Sequence, residues 1–350
     1  MSPMPVSSAP GSLNGSAVFV TGASGFIGTH LVETLLRHGC EVRCLIRPTT
    51  PATHLLRPNV VRVSGTLDNP ESYRRALIGC GTVFHLAGLV SARRPGDLLR
   101  TNGDGTARLA DTCAARDSPP AVIAVSSLTA AGPPTPDRGF RDEADRPRPV
   151  SDYGRSKRAG ERELQKRAGD LPVTIIQPGI VYGARDRRIA ALFRTISRSG
   201  IHFVVGFQTP RLSLIHVDDL VQLLVAAAAA GERLDGHPSG DYSPRGYYLA
   251  CDDRVHPTYW QLGQRVARAL GRRVLVWPLS RPVGWSIGAV AEWTTAAGGV
   301  LSRDKIREAT VPSWACSAAK ARSWLDFQPA MPLDARLRQT ANWFSDHGWL

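Results

Sequence analysis

Lysine is nearly missing from this 350-residue chain. Of its 43 lysines and arginines, four are lysine (Lys157, Lys166, Lys305 and Lys320), which leaves 39 arginines. Acidic residues are also short, 30 in all, so the formal net charge is +13. That balance favours anionic partners: a phosphorylated cofactor, an anionic membrane surface or, without specificity, nucleic acid. Zinc-finger spacing, an aromatic RNA-binding signature and dense basic runs are all absent, so no specific nucleic-acid ligand is expected. The six cysteines (Cys40, Cys44, Cys80, Cys113, Cys251, Cys316) have neither paired spacing nor a C-x-x-C pattern. A disulfide framework and a metal site are therefore not expected, and the chain fits a reducing cytoplasm.

Long apolar runs are missing too. "LVQLLVAAAAA" (220–230) is too short to span a bilayer, and "VGWSIGAVAEWTTAAGGVL" (283–301) carries Glu292 near its middle. No transmembrane span is expected. Trp285 and Trp293, flanked by Arg281, Arg303 and Lys305, suit an interfacial helix in weak peripheral contact with a membrane. The plainer reading of that segment is a helix covering a substrate site. The first 16 residues lack a basic start followed by an apolar run and read as a flexible leader instead of a signal peptide.

What is present is a globular composition, 43% hydrophobic and 21% charged, in a chain long enough for about two domains. Short β-branched runs at 17–21, 41–46, 60–63, 82–87, 121–126 and 173–177 alternate with helical stretches. That rhythm predicts right-handed crossovers and a doubly wound α/β sheet covered on both faces. After residue 178 the rhythm becomes irregular: 211–217 and 246–250 read as strands, and 257–271, 283–301 and 334–344 as helices.

"VFVTGASGFIGTHLVETLLRHG" runs from a buried strand through a glycine-rich turn into an amphipathic helix. Gly22, Gly25 and Gly28 allow a tight turn and close backbone approach to a pyrophosphate, which points to dinucleotide binding. An acidic residue at the end of the second strand would bind the ribose hydroxyls of NAD. Here Ile46 is followed by Arg47, with Arg43 nearby, and an arginine there suits the 2'-phosphate of NADP; NAD stays as the alternative.

At the end of the fifth strand stand Ser126 and Ser127, and about 26 residues later Tyr153 and Lys157 lie one helical turn apart. With so few lysines, chance would give about 0.08 such tyrosine–lysine pairs. A phenol with an ordinary pKa near 10 shuttles protons poorly at neutral pH, and an adjacent ammonium is expected to lower it. The nicotinamide, serine, tyrosine and lysine together suffice for hydride transfer coupled to proton transfer.

These motifs fall in one order: "TGASGFIG", "VFHLAG", "TNGDGT", "VSSLTAAG", "YGRSK", "QPGIVYG", "LIHVDDL" and "KARSWLDFQP". On them the chain, from Ala17 to about Trp343, resembles the extended short-chain dehydrogenase/reductase family, also described as NAD-dependent epimerase/dehydratase-like. The serine and QPG motifs are most similar to its 3β-hydroxysteroid dehydrogenase and dihydroflavonol reductase branch. The resemblance implies that Ser127 orients the substrate oxygen, Tyr153 is the acid/base, Lys157 binds the nicotinamide ribose, and Asn102 supports a proton-relay water. It also implies that the dinucleotide lies along Gly22, Ser24, Gly25, Phe26, Ile27 and Gly28, then Arg47, then Leu67 and Asp68. Further contacts are implied at Leu86, Ala87, Gly88 and Ser126, with Pro178, Gly179 and Val181 beside the nicotinamide. Asp218 and Asp219 read as caps of a helix beginning at Leu220, and His85 and His216 as satisfied core residues.

Two positions depart from the family pattern: Thr66 stands where an aspartate near the adenine is usual, and Asp326 where a glycine is usual. The resemblance implies a Rossmann domain over 17–178, with 211–250 returning to it, and a smaller, mostly helical substrate lobe over 179–210 and 251–350. It also implies a homodimer. Ala131 and Gly179 replace a tyrosine and an asparagine of the sugar-nucleotide branch, which favours a ketone or secondary alcohol of a mostly hydrophobic small molecule as substrate. Trp260, Trp277, Trp285 and Trp293 are candidates to line its pocket. The alternatives are a nucleotide-sugar epimerase or dehydratase and a non-catalytic NADP-binding sensor or interaction protein.

Overall fold

The computed structural model describes residues 13–92, 94–135, 137–206, 209–236, 242–279 and 303–350. The β-branched runs form β1 (Ala17–Thr21), β2 (Glu41–Ile46), β3 (Val60–Ser64), β4 (Thr82–His85), β5 (Ala121–Val125) and β6 (Val173–Pro178). With β10 (Tyr247–Ala250) they make a seven-stranded sheet in the order β10-β6-β5-β4-β1-β2-β3. Every neighbouring pair is parallel.

Successive side chains of a strand point to opposite faces, and β1 uses both. Val18 and Val20 join one core with residues of α1 (Phe26–Arg37) and α7 (Val217–Ala230). Phe19 joins a second core with Leu109 of α3 (Gly105–Ala114) and Leu164 of α5 (Asp152–Gln165). This is the expected Rossmann architecture, with helices on both faces of a parallel sheet. Chain order reverses between β1 and β4, and a crevice opens there at the carboxyl ends of the strands.

Beyond β6 lie two further parallel pairs, β7 (Ile180–Tyr182) with β9 (Leu214–His216), and β8 (Ile201–Val205) with β11 (Leu275–Leu279). Around them are α6 (Arg187–Ser199), α8 (Tyr259–Ala269), α9 (Arg303–Ala309), α10 (Ala319–Leu325) and α11 (Leu333–Asp346). Of the 211–250 segment, α7 and β10 return to the large sheet, whereas β9 pairs outside it. Among the described residues no helix is long and apolar enough to cross a membrane. The expected helix over 283–301, with Trp285 and Trp293, lies outside the described residues, as does most of the expected leader. The last leader residues are packed: Leu13 is buried, and its carbonyl accepts bonds from the Ser16 hydroxyl and the Cys40 thiol.

Three local expectations are corrected, and the place of Trp277 is fixed. β4 ends at His85 because the Ala87 N–H turns to the Thr21 hydroxyl at 3.1 Å instead of continuing the ladder. β9 is short because the His216 ring accepts from the Asp218 N–H, so that α7 begins at Val217 and Asp218 and Asp219 fall in its first turn. Trp277 stands half-exposed on the outer face of the β8/β11 pair, among described residues. Arg43 is spent on Glu41 and on the carbonyls of Ala76 and Ile78, which removes it from any phosphate. The family departure at Asp326 does fall on a turn: this residue closes α10 in the left-handed conformation, φ 49°, where glycine carries no steric cost.

Candidate active site

The turn after β1 is built for close approach. Gly22 has φ 73°, and a Cβ on it would lie 2.7 Å from the Ala87 nitrogen. Gly25 then leads into α1, whose N-terminus has no side-chain cap and no acidic residue in its first turn. Its free N–H groups and the helix dipole suit a pyrophosphate, so the residues present fit a dinucleotide. Ser24, Phe26, Ile27 and Gly28 belong to the same turn and first helical turn, and Leu86, Ala87 and Gly88 form the facing segment after β4.

Asn102 lies in a π-helical turn, Arg100–Asp104, a form common at functional sites. Its side-chain amide is committed: Oδ1 accepts from the Leu89 N–H at 2.8 Å, while Nδ2 donates to the Leu89 carbonyl and to Ser156 Oγ. The loop after β4 is thereby tied to α5. α5 can come this close because residue 160 is glycine; a Cβ there would sit 2.2 Å from the Asn102 carbonyl oxygen.

Tyr153 and Lys157 stand one turn apart on α5, as their spacing requires. Tyr153 hydrogen-bonds Ser127, and burial pushes its phenol up to about 12, against which the Ser127 bond and the Arg188 charge act while Glu308 adds to the rise. Lys157 Nζ donates to the Val125 carbonyl at 2.8 Å. Burial draws this ammonium down to about 8, with Glu161 opposing. The expected lowering of the phenol by the lysine is thus not seen: the ammonium is turned to the end of β5, and burial dominates both groups.

The adjacent serines point in different directions. Ser127 caps the short helix α4 (Leu128–Ala131), accepting from the Thr129 N–H and hydroxyl, and meets Tyr153. The Ser126 hydroxyl instead runs beneath the crevice to the buried Glu161 carboxylate, so only its backbone is left for a cofactor. Glu161 also accepts from Gln177 Nε2 at 2.8 Å and Arg158 Nη1 at 2.9 Å, which balances the charge. His85, bonded to Thr21 and Thr106, is held down to about 3 by burial and stays neutral.

A pocket of about 230 Å³ beyond the ends of β2 and β3 is lined by Ile46, Arg47, Pro48, Thr50, Arg62 and Ser64. Arg47 is exposed at the end of β2, and Arg62 enters from β3. Near the third strand's turn, Leu67 is buried in the second core, and Asp68 pairs with Arg108 at 2.9 Å on the surface. At the nicotinamide end, Pro178 closes β6, the Gly179 N–H donates to the Ala250 carbonyl, and Val181 lies in β7.

Sequence reasoning missed Glu161, Arg62 and Asp304. Asp304 of α9 accepts from the Asp152 and Tyr153 backbone N–H groups at 2.6 and 3.0 Å, so a carboxylate about 150 residues away anchors the turn that carries the tyrosine. The spacing Lys157-x-x-x-Glu161 was a visible signal for Glu161; nothing local marks Asp304.

The family model described as NAD dependent epimerase/dehydratase family matches residues 18–239. The chain is 30% identical over 338 residues to the ceramide reductase of Caulobacter vibrioides (strain NA1000 / CB15N), covering 95% of this chain and 96% of that protein. It is 28% identical over 220 residues to the 4-hydroxy-2-methyl-3-oxo-4-farnesyl-3,4-dihydroquinoline-1-oxide ketoreductase of Stigmatella aurantiaca, covering 61% and 64%. Among solved structures, MoeE5 in complex with UDP-glucuronic acid and NAD has a TM-score of 0.72 at 25% identity, covering 95% of this chain and 100% of that one.

Proposed function

The chain belongs to the NAD dependent epimerase/dehydratase family and is an NAD(P)-dependent oxidoreductase of the extended short-chain type; from that premise we propose that it uses NADP on a ketone or secondary alcohol of a mostly hydrophobic molecule. The observation that carries the reading is the Ser127–Tyr153 pair at the crevice with Lys157 one turn on. Two relatives named for the reduction of apolar molecules support the substrate class. Arg47 and Arg62, which line one pocket beyond β2, support a 2'-phosphate there, Arg62 Nη2 also donating to the Pro51 carbonyl at 3.3 Å.

When bound, the nicotinamide supplies or accepts the hydride. Ser127 holds the substrate oxygen, and the Tyr153 hydroxyl, kept protonated by burial, donates the proton that the oxygen takes up on reduction. Lys157 would hold the nicotinamide ribose, and Asn102 holds the loop after β4 against α5. The N-terminus of α1 carries the pyrophosphate. In the division of labour we propose, 17–178 with the returning part of 211–250 binds the dinucleotide, and 179–210 with 251–350 binds the substrate.

The test is mole-for-mole consumption of NADPH with a long-chain ketone. An enzyme that interconverts sugar nucleotides with no net cofactor consumption would overturn the reading, an outcome the MoeE5 likeness keeps in view. For the cofactor, Arg47→Asp is expected to raise KM for NADPH by about tenfold or more while sparing NADH. Equal effects on both, or a native preference for NADH, would refute the NADP assignment.

A further inference from the structure

The β8/β11 pair carries a surface that the catalytic reading does not use. Its register sets Ile201 beside Leu275, Phe203 beside Trp277 and Val205 beside Leu279. Alternation along each strand puts these six on one face. The opposite face is buried against α8, with His202 Nε2 bonded to the Tyr259 carbonyl at 3.1 Å and Val204 and Val276 inside. The first face is apolar at every position, and no described residue covers its centre: Phe203 is 50%, Leu275 56% and Trp277 54% exposed.

The segment that leads into β11, residues 271–274, carries Arg272 and Arg273 and no aspartate or glutamate. Both arginines are exposed just before β11. Aromatic and aliphatic side chains bordered by arginines match the two components of a membrane interface, the acyl boundary and the anionic headgroups. A second copy of the same face would bring arginine against arginine, so self-association is disfavoured.

We propose that the Ile201–Val205/Leu275–Leu279 face docks on an anionic lipid bilayer, with Phe203, Leu275 and Trp277 entering the headgroup boundary and Arg272 and Arg273 meeting lipid phosphates. The purpose of such docking, access to a lipid-dissolved substrate, rests on the reading above; the surface itself rests on its own geometry.

Co-sedimentation of the purified full chain with phosphatidylcholine vesicles, with and without phosphatidylglycerol, tests it. Binding is expected only with the anionic lipid and falls with added salt. Each arginine near such a surface is worth about fivefold, so Arg272→Glu with Arg273→Glu should lower partitioning by more than about 25-fold. Phe203→Ser with Trp277→Ser should abolish vesicle binding, with NADPH affinity and the urea unfolding midpoint retained. Failure of the wild type to bind, or unchanged binding by both double variants, overturns the proposal. So does a wild-type dimer that the Phe203/Trp277 variant converts to monomer, since the face would then join two copies. Vesicle binding requires no catalysis, so a protein inert on ketones that still binds would refute the enzymatic reading and leave the docking surface standing.

Discussion

Two buried cations show how differently the crevice and the lobe junction are built. Lys157, in the crevice, reaches only a backbone carbonyl, and burial draws it down to about 8. Arg336, on α11 at the junction with α7, reaches Asp219, Asp218 and Gln339, with the Asp219 carboxylate as buried as the arginine itself. A charge with its counter-charge in contact cross-links distant segments; a charge held without one is kept at a cost in stability. The difference teaches that the junction is arranged for folding and the crevice for chemistry.

The largest expected effect lies in the crevice. Tyr153→Phe should reduce kcat by about 10³-fold, while NADPH binding and thermal stability stay near wild type. Unchanged turnover with an identified substrate would show that the phenol is not the proton donor. At the junction, Arg336→Met should lower stability by about 3 kcal/mol, because it strands the buried Asp219 carboxylate, and urea unfolding measures it. A loss below about 1 kcal/mol would erase the contrast between the two regions.

Lys157→Met gives the smallest effect and the opposite sign. The lysine's pKa is lower in the folded chain than unfolded, so above about 8 the unfolded state binds more protons and folding grows more favourable with pH, up to the ordinary value near 10.5. Below about 8 the full cost of burying the ammonium is present. Replacing it should therefore stabilise the apoprotein at pH 7 by roughly 2 kcal/mol once the lost bond to the Val125 carbonyl is set against the gain. That gain should shrink between about pH 8 and 10.5, as urea midpoints across pH would record. A variant less stable than wild type at pH 7 would place Lys157 with Arg336 as a structural charge.

The sheet was legible because six of its seven strands are short β-branched runs between turn signals, and a parallel sheet buried on both faces needs nothing else from local sequence. The glycine turn and the Tyr153–Lys157 pair were legible for a similar reason. Of the second lobe, the helices expected over 257–271 and 334–344 were legible, as α8 and α11, whereas β8 and β11 were not. Apolar residues fall on both faces of β8, so Val204 and Phe203 look alike in sequence, yet one is buried and the other half-exposed.

By itself the sequence determined the doubly wound fold, the cofactor turn and the helical face that carries tyrosine and lysine, since backbone periodicity dictates those over a few residues. Only the tertiary structure decided that Ser126 turns to Glu161 while Ser127 meets Tyr153, that Arg62 shares a pocket with Arg47, and that Asp304 accepts from the first N–H groups of α5. Each of these depends on which distant segment arrives beside a residue. A local period reports the face a side chain occupies, and the packed chain alone supplies the neighbour it meets there.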